Sequence, residues 1–166
     1  MNEDPSPAAV TVRQAVSQDA DGITRTYLES AEYHAGLDAA RYGIPDAEEI
    51  SARYRQGRQH PPDGDAITLV AEMNGEIIGF LDIQLTRSPD PMHRQMLYCD
   101  VVEVAVSSRH QRQGVGGQLL RAAEDWGRTH GAEFASLEYL AVNRRASLFY
   151  ERLGYRTAHV VAIKRL

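Results

Sequence analysis

A chain of 166 residues is long enough to bury one sizeable core and leaves little room for a second domain. Its 43% hydrophobic and 25% charged residues are the balance of a globular protein, which excludes a fibrous or largely disordered polymer. The formal net charge of −5 comes without a long basic stripe interleaved with aromatics, and no apolar run approaches the ~18–20 residues that span a bilayer, so neither nucleic acid nor membrane is an expected partner.

Residues 1–9 are acidic and broken by Pro5 and Pro7. They read as a disordered leader and not as a signal peptide, which points to the cytoplasm, with the folded domain running from 10 to 166. Residues 10–15 alternate apolar and polar, the pattern of a half-buried first strand. Ser17 and Asp19 offer helix caps, and Ile23, Tyr27 and Leu28 supply an apolar stripe. A second helical stretch is expected over 31–40 and then 46–55, interrupted by Gly43 and Pro45. Residues 67–71 and 77–83 flank Asn74-Gly75, a pair that favours a tight type I′ hairpin turn. Residues 86–96 read as a loop.

Residues 98–106 form the next strand, and its segment from Val101 to Val106 is apolar on both faces apart from Glu103, as expected of a buried central strand. After a glycine-rich turn, Val115, Leu119, Ala123 and Trp126 recur on one face of a helix that Gly131 ends. Residues 134–141 read as another strand. Asn143 caps a short helix carrying Ala146, Phe149, Tyr150 and Leu153 on one side, and Gly154 stops it. A last strand is expected over 155–166. The order β-α-α-β-β-β-α-β-α-β predicts an α/β fold of the α+β mixed-sheet kind: mostly antiparallel strands first, then βαβ units, in one domain.

The lone Cys99 cannot make an internal disulfide, which suits a reducing compartment, and its apolar neighbours mark it as a packing residue. Histidines 34, 60, 93, 110, 130 and 159 are scattered, so no metal site is expected. Basicity is almost all arginine, Lys164 being the only lysine, which reads as a compositional habit before it reads as function.

The turn Gln111-Arg112-Gln113-Gly114-Val115-Gly116-Gly117 sits between the buried strand and the amphipathic helix. Glycines let backbone amides converge on an anion, and a helix N-terminus adds about half a positive charge, which together make a phosphate site without lysine. A glycine-rich β-to-α connection with no ligand is the alternative. Leu119 stands where a dinucleotide-binding fingerprint needs glycine, and a P-loop would need the lysine that is missing.

At this point the sequence resembles the GNAT superfamily of N-acetyltransferases. One signature of that family, Arg/Gln-x-x-Gly-x-Gly/Ala after a strand ending in valine, is matched by Val104-Ala105-Val106 and then Gln111 to Gly116. A second, Asn-x-x-Ala-x-x-Phe/Leu-Tyr-x-x-x-Gly-Phe/Tyr, is matched by Asn143, Ala146, Phe149, Tyr150, Gly154 and Tyr155. The resemblance is firm over about residues 67–166 and looser over 10–66, where the family's amine-binding helices vary most. It implies that the amides of 111–117 bind the pyrophosphate of acetyl-CoA, and Arg109 and Arg112 are placed either to reach its phosphates or to stand as solvated surface charges. It implies also that Val104 and Val106 bond the pantetheine arm, and that strands 98–106 and 134–141 splay apart to admit the thioester.

Acyl transfer to an amine needs the amine deprotonated, the oxyanion stabilised and the thiolate protonated. By resemblance the amine attacks directly, a backbone N–H near Val104 or Ala105 serves the oxyanion, and Tyr150 protonates the thiolate. Packing alone would also account for Phe149 and Tyr150, and helix capping alone for Asn143, which the resemblance also places at the cofactor. Glu103 is the leading candidate base, followed by Asp100 and Glu138, with ordered water as the alternative and a structural salt bridge as the competing use of Glu103. The expected activity is transfer of an acetyl group from acetyl-CoA to a primary amine, on a small molecule or a protein. A non-catalytic acyl-CoA-binding sensor or interaction module of the same fold is the competing reading. Homodimerisation is compatible with either. Tyr33, His34 and Tyr42 are read as packing residues beside the cleft.

Overall fold

The computed structural model describes residues 9–57, 65–88, 91–92 and 94–165. Apart from residue 9, the expected leader lies outside them. The elements are β1 (Thr11–Gln14), α1 (Ala20–Leu37), α2 (Ala47–Arg55), β2 (Ala66–Met73), β3 (Glu76–Arg87), β4 (Leu97–Val106), α3 (Val115–Thr129), β5 (Phe134–Leu137) and α4 (Arg144–Arg152). The five strands make one sheet in chain order. β1 to β4 pair antiparallel, and β5 joins β4 parallel through the α3 crossover.

Chain-order pairing follows from the turns. Asn74 and Gly75 both take left-handed conformations, φ 53° and 78°, so Met73 faces Glu76 across a two-residue hairpin as the sequence predicts. The two faces of the sheet carry separate apolar clusters. Leu69, Leu81, Ile83 and Val101 pack with Val115, Leu119, Leu120 and Ala123 of α3. Val70, Phe80 and Ala105 pack with Ala20 and Ile23 of α1 and with Ile50 and Tyr54 of α2. Arg13 holds the start of α1 to the sheet: its guanidinium donates to both Asp19 oxygens at 2.7 and 2.8 Å and pairs with Glu72 at 2.7 Å. That pairing holds the Asp19 carboxyl below its ordinary value.

Three expectations are corrected. The two helices expected from 19 onward and over 31–40 are one continuous helix, α1, because no glycine or proline falls between Ile23 and Ala35 to break it. The strand expected over 134–141 ends at Leu137. The strand expected over 155–166 does not form in the single chain: residues 155–165 take no regular structure, and 156–165 are exposed at every position. A strand exists only by pairing, and the sheet of five strands includes none from this segment.

Two glycines set how closely the helices approach the sheet. A Cβ at Gly22 would lie 2.7 Å from Ile77 Cβ, and one at Gly127 would lie 2.5 Å from Cys99 Cβ and 2.8 Å from its Sγ. Cys99 is thus a contact surface for α3. Burial pushes its thiol up to about 11, which removes it as a nucleophile at neutral pH. Among the described residues no helix is long and apolar enough to cross a membrane.

Gly127→Ala should therefore destabilise the fold by about 1–2 kcal/mol, overpacking outweighing the ~1 kcal/mol that alanine gains in a helix. Gly36→Ala, where a Cβ meets nothing within 4 Å, should be neutral or stabilising. Thermal unfolding of the two variants checks the contrast, and a Gly127→Ala protein melting at or above Gly36→Ala would refute the close α3–β4 contact.

Candidate active site

The site begins where β4 loses a neighbour. Against β3 it is paired along its whole length, from Arg87↔Leu97 to Gly79↔Val106. Against β5 it is paired only from Tyr98↔Phe134 to Val101↔Leu137. Past Val101 the β5-facing edge of β4 has no ladder partner among the described residues, which leaves Val104, Ala105 and Val106 bordering an open gap. This is the splay the resemblance implied, and it is widened by the early end of β5.

A bulge re-aims the side chains at the same place. Asp82 faces Glu103 and Ile83 faces Val101, so Val102 is extra. Cys99 and Val101 before it, and Val104 and Val106 after it, pack towards the α3 cluster, whereas Ala105 joins the α1 cluster. Glu103 is turned to the α1–α2 side as well, opposite Asp82.

Asp82 is a feature the sequence reading missed. It is 1% exposed and accepts from Tyr54 Oη at 2.8 Å and Thr68 Oγ1 at 2.5 Å. Burial and the Asp82 carboxylate together push the Tyr54 hydroxyl far up, with a smaller push from Glu103. Glu103 stands opposite Asp82 across the bulge and is half-buried, so two acidic residues share this part of the sheet. Neither partner is close to Asp82 in sequence, so no local motif could have signalled it.

Tyr150 is 8% exposed, ringed by Tyr139, Phe149 and Tyr155 with centroids 5.4, 5.2 and 5.9 Å away. Burial first, then Glu103 and Tyr139, push its hydroxyl up to about 12. The phenol thus keeps its proton throughout the neutral range, and among the described residues it has no hydrogen-bond partner. Its coupling to Glu103 places the two groups in one electrostatic neighbourhood.

The other candidate bases are placed differently. Asp100 lies on the zipped half of β4, accepting from Ser136 at 3.0 Å and Gln84 at 3.5 Å, and so ties β4 to β5. Glu138 is exposed just beyond β5.

In the 111–117 turn, Arg112 and Gly114 take positive φ of 63° and 84°, alternating with residues that do not. Such alternation folds successive N–H groups into a concavity. Gly114 is the N-cap of α3, no side chain caps that helix, and a Cβ at Gly114 would meet nothing within 4 Å. Val115 and Gly117 are buried in the first turn, while Gln113 donates back to the Arg109 carbonyl at 3.0 Å. Gln111 donates to the Val106 carbonyl at 3.1 Å and accepts from Arg145 at 3.0 Å, linking β4, the turn and α4. Gly116 answers a packing need: a Cβ there would press on Phe149 Cζ at 3.2 Å.

Asn143 caps α4, its Oδ1 accepting from Ala146 N at 3.1 Å and also from Tyr33 Oη at 3.2 Å. Tyr33 therefore does more than pack: it carries α1 across to α4. Its ring meets His34 edge-on, and His34 in turn meets Tyr42. Glu29, also on α1, accepts from the Ser108 backbone N–H at 2.6 Å just past β4.

Comparison with known proteins agrees with this geometry. A model of the acetyltransferase (GNAT) family matches residues 26–155. The uncharacterized N-acetyltransferase YhfO of Bacillus subtilis is 29% identical over 147 residues, which are 88% of this chain and 89% of that protein. An aminoalkylphosphonate N-acetyltransferase of Salmonella typhimurium is 26% identical over 149 residues, 89% of this chain and 86% of that one. Among solved structures, a mutant protein from Bacillus halodurans matches with a TM-score of 0.84 at 21% identity, covering 94% of this chain and 99% of the other. An aminoglycoside N-acetyltransferase in complex with CoA matches with a TM-score of 0.70 at 16% identity, covering 99% of each chain. These structural likenesses concern the fold.

The buried hydrogen-bond network yields a direct test. Tyr54→Phe keeps the ring against Phe80 and removes one of the donors to Asp82, so it should cost about 1–3 kcal/mol in urea unfolding. Unchanged stability would mean that Asp82 does not depend on that phenol.

Proposed function

The chain belongs to the GNAT acetyltransferase family, and from that premise we propose that it moves an acetyl group from acetyl-CoA to a primary amine of a small molecule. The observation that carries the reading is Tyr150: a buried phenol that keeps its proton, without a hydrogen-bond partner among the described residues, within the electrostatic field of Glu103 and beside the gap in the sheet.

The residues present fit an acyl-CoA. The 111–117 turn offers uncapped helix amides around an αL glycine with open space at its Cβ, which suits a pyrophosphate. The unpaired edge of β4 at Val104 and Val106 offers backbone groups to an amide-bearing arm, though Gln111 already occupies the Val106 carbonyl. Phe149 sits against Gly116 and shapes the wall between them. With the Asn143 Oδ1 satisfied within the protein, its Nδ2 is the group left for the ligand. When bound, acetyl-CoA supplies a thioester carbonyl activated for attack.

Each remaining role falls to the chain itself. Glu103 accepts the proton of the incoming ammonium, either directly or through water. A backbone N–H at Val104 or Ala105 donates to the oxygen that gains charge. Tyr150 holds its proton for the departing sulfur. The Bacillus and Salmonella relatives are named as N-acetyltransferases, the latter of aminoalkylphosphonates, which supports a small-molecule amine as acceptor. A lone buried cysteine, Cys99, suits a reducing compartment, which supports a cytoplasmic location.

Gly114→Val tests the cofactor site: it should weaken CoA binding at least tenfold by calorimetry, with only about 1–2 kcal/mol lost to the αL position. Full affinity in a folded variant rules out the pyrophosphate assignment. This position is a cleaner probe than Gly116, where a side chain would also displace Phe149.

The acid and base are tested by turnover on an amine panel with thiol release as readout. Tyr150→Phe should lower kcat by ~100- to 10,000-fold, about 3–5 kcal/mol of barrier, with CoA affinity and melting temperature nearly unchanged. Because its proton is held to about 12, no alkaline limb from this group should appear below pH 10. Glu103→Gln should lower kcat and abolish the acidic limb of the rate profile. A Glu103→Gln enzyme with parental turnover and pH profile passes the role to Glu138, Asp100 or water.

A further inference from the structure

α4 is a nine-residue helix, too short to hold itself, and its N-terminus has a single side-chain cap. Its first turn contains no acidic residue, so the Asn143 amide is what meets an orphan N–H there, accepting from Ala146 N at 3.1 Å. One such bond leaves the amide plane loose, because the last torsion of an asparagine side chain has a broad minimum. The bond from Tyr33 Oη at 3.2 Å takes the second lone pair of the same oxygen and defines that plane.

Tyr33 is built for this contact more than for the core. Its residue is 43% exposed, whereas Asn143, which its hydroxyl reaches, is 8% exposed. The helix that carries it is also fixed to the opposite wall of the gap. Glu29, one turn earlier on α1, accepts from the Ser108 N–H at 2.6 Å. That N–H opens a short turn, Ser108–His110, for which the preceding Ser107 supplies no side-chain cap. Tyr33 Oη is thereby held at a set distance from the strand that bears Glu103.

The phenol of Tyr150 has no hydrogen bond among the described residues to locate it. Of the three rings around it, Phe149 lies on α4, and Tyr155 is tied to the same helix by its backbone N–H, which donates to the Tyr150 carbonyl at 3.0 Å. Both travel with α4, and Tyr139 alone stands outside it. Where the phenol sits relative to β4 is therefore inherited from where α4 begins. We propose that Tyr33 is a positioning residue for Tyr150: it fixes the Asn143 cap and, through it, the start of α4. The proposal rests on the reading of Tyr150 as the acid. Tyr33 moves no proton itself.

Tyr33→Phe keeps the ring beside His34 and deletes only the donor. It should lower kcat about tenfold, since a displacement of ~1 Å can cost up to about 100-fold, while CoA affinity by calorimetry changes no more than about threefold. In a Tyr150→Phe background the same substitution should cost less than about twofold, because residues acting through one group are not additive. The Ala146 amide should exchange with solvent faster in Tyr33→Phe, with the amides of α3 unchanged. Parental kcat in Tyr33→Phe overturns the proposal, as does an equal loss in both backgrounds. Unchanged exchange at Ala146, or faster exchange throughout the protein, overturns it as well, the latter by showing a general loss of stability. Parental turnover in Tyr150→Phe alone is a different failure: it refutes the acid reading, and the proposal falls with it.

Discussion

The organisation of this protein depends on one imbalance in backbone pairing. β4 is a ten-residue strand whose β3 side is fully laddered, while its β5 side is laddered for four residues and then open. Peptide groups without partners inside a fold are costly unless something else satisfies them. Other features gather at that opening. The bulge at Val102 turns Glu103 away from α3. The glycine turn leaves the end of β4 and carries uncapped amides into α3. α4 brings Tyr150 to the same place. A ligand with its own amides and phosphates would complete what the sheet leaves undone, which is why binding and fold are hard to separate here.

The electrostatics of the site are set by burial more than by ion pairs. Tyr150 and Tyr54 are both pushed up, and in each case the first cause is desolvation, with carboxylates adding to it. Both phenols remain protonated donors. Tyr54 spends its proton on Asp82, whereas Tyr150 has no such partner among the described residues. That difference between two chemically equal groups separates a structural tyrosine from the proposed acid. Asp82 itself is held by two hydroxyl donors, Tyr54 and Thr68, which is how a carboxyl this deeply buried is accommodated.

What was legible in the sequence was what is local. Asn74-Gly75 determined its own hairpin. The Gln111 to Gly117 and Asn143 to Tyr155 patterns identified a turn and a cap through residues within a few positions of each other. The apolar stripe of α3 located the helix. What was not legible depends on distant contacts. Tyr54 meets Asp82 across 28 positions, Glu29 meets Ser108 across 79 and Tyr33 meets Asn143 across 110. None of these pairings leaves a periodic trace. The segment after Tyr155 shows the opposite failure: its composition favours a strand, but a strand needs a neighbour to pair with, and none of the five strands of the sheet comes from it.

α1 touches both walls of the gap, the end of β4 and the start of α4. Glu29 holds the backbone just past β4, and Tyr33, one helical turn later, holds the cap of α4. The spacing matters, since positions four apart lie on one face of a helix and can grip two elements at once. A helix gripping both walls sets the width of the opening between them. Substitutions elsewhere on α1 and on α2 leave both grips in place, so the position of α4 relative to the end of β4 is kept as long as Glu29 and Tyr33 are, and these two positions constrain which surfaces of α1 are free to change.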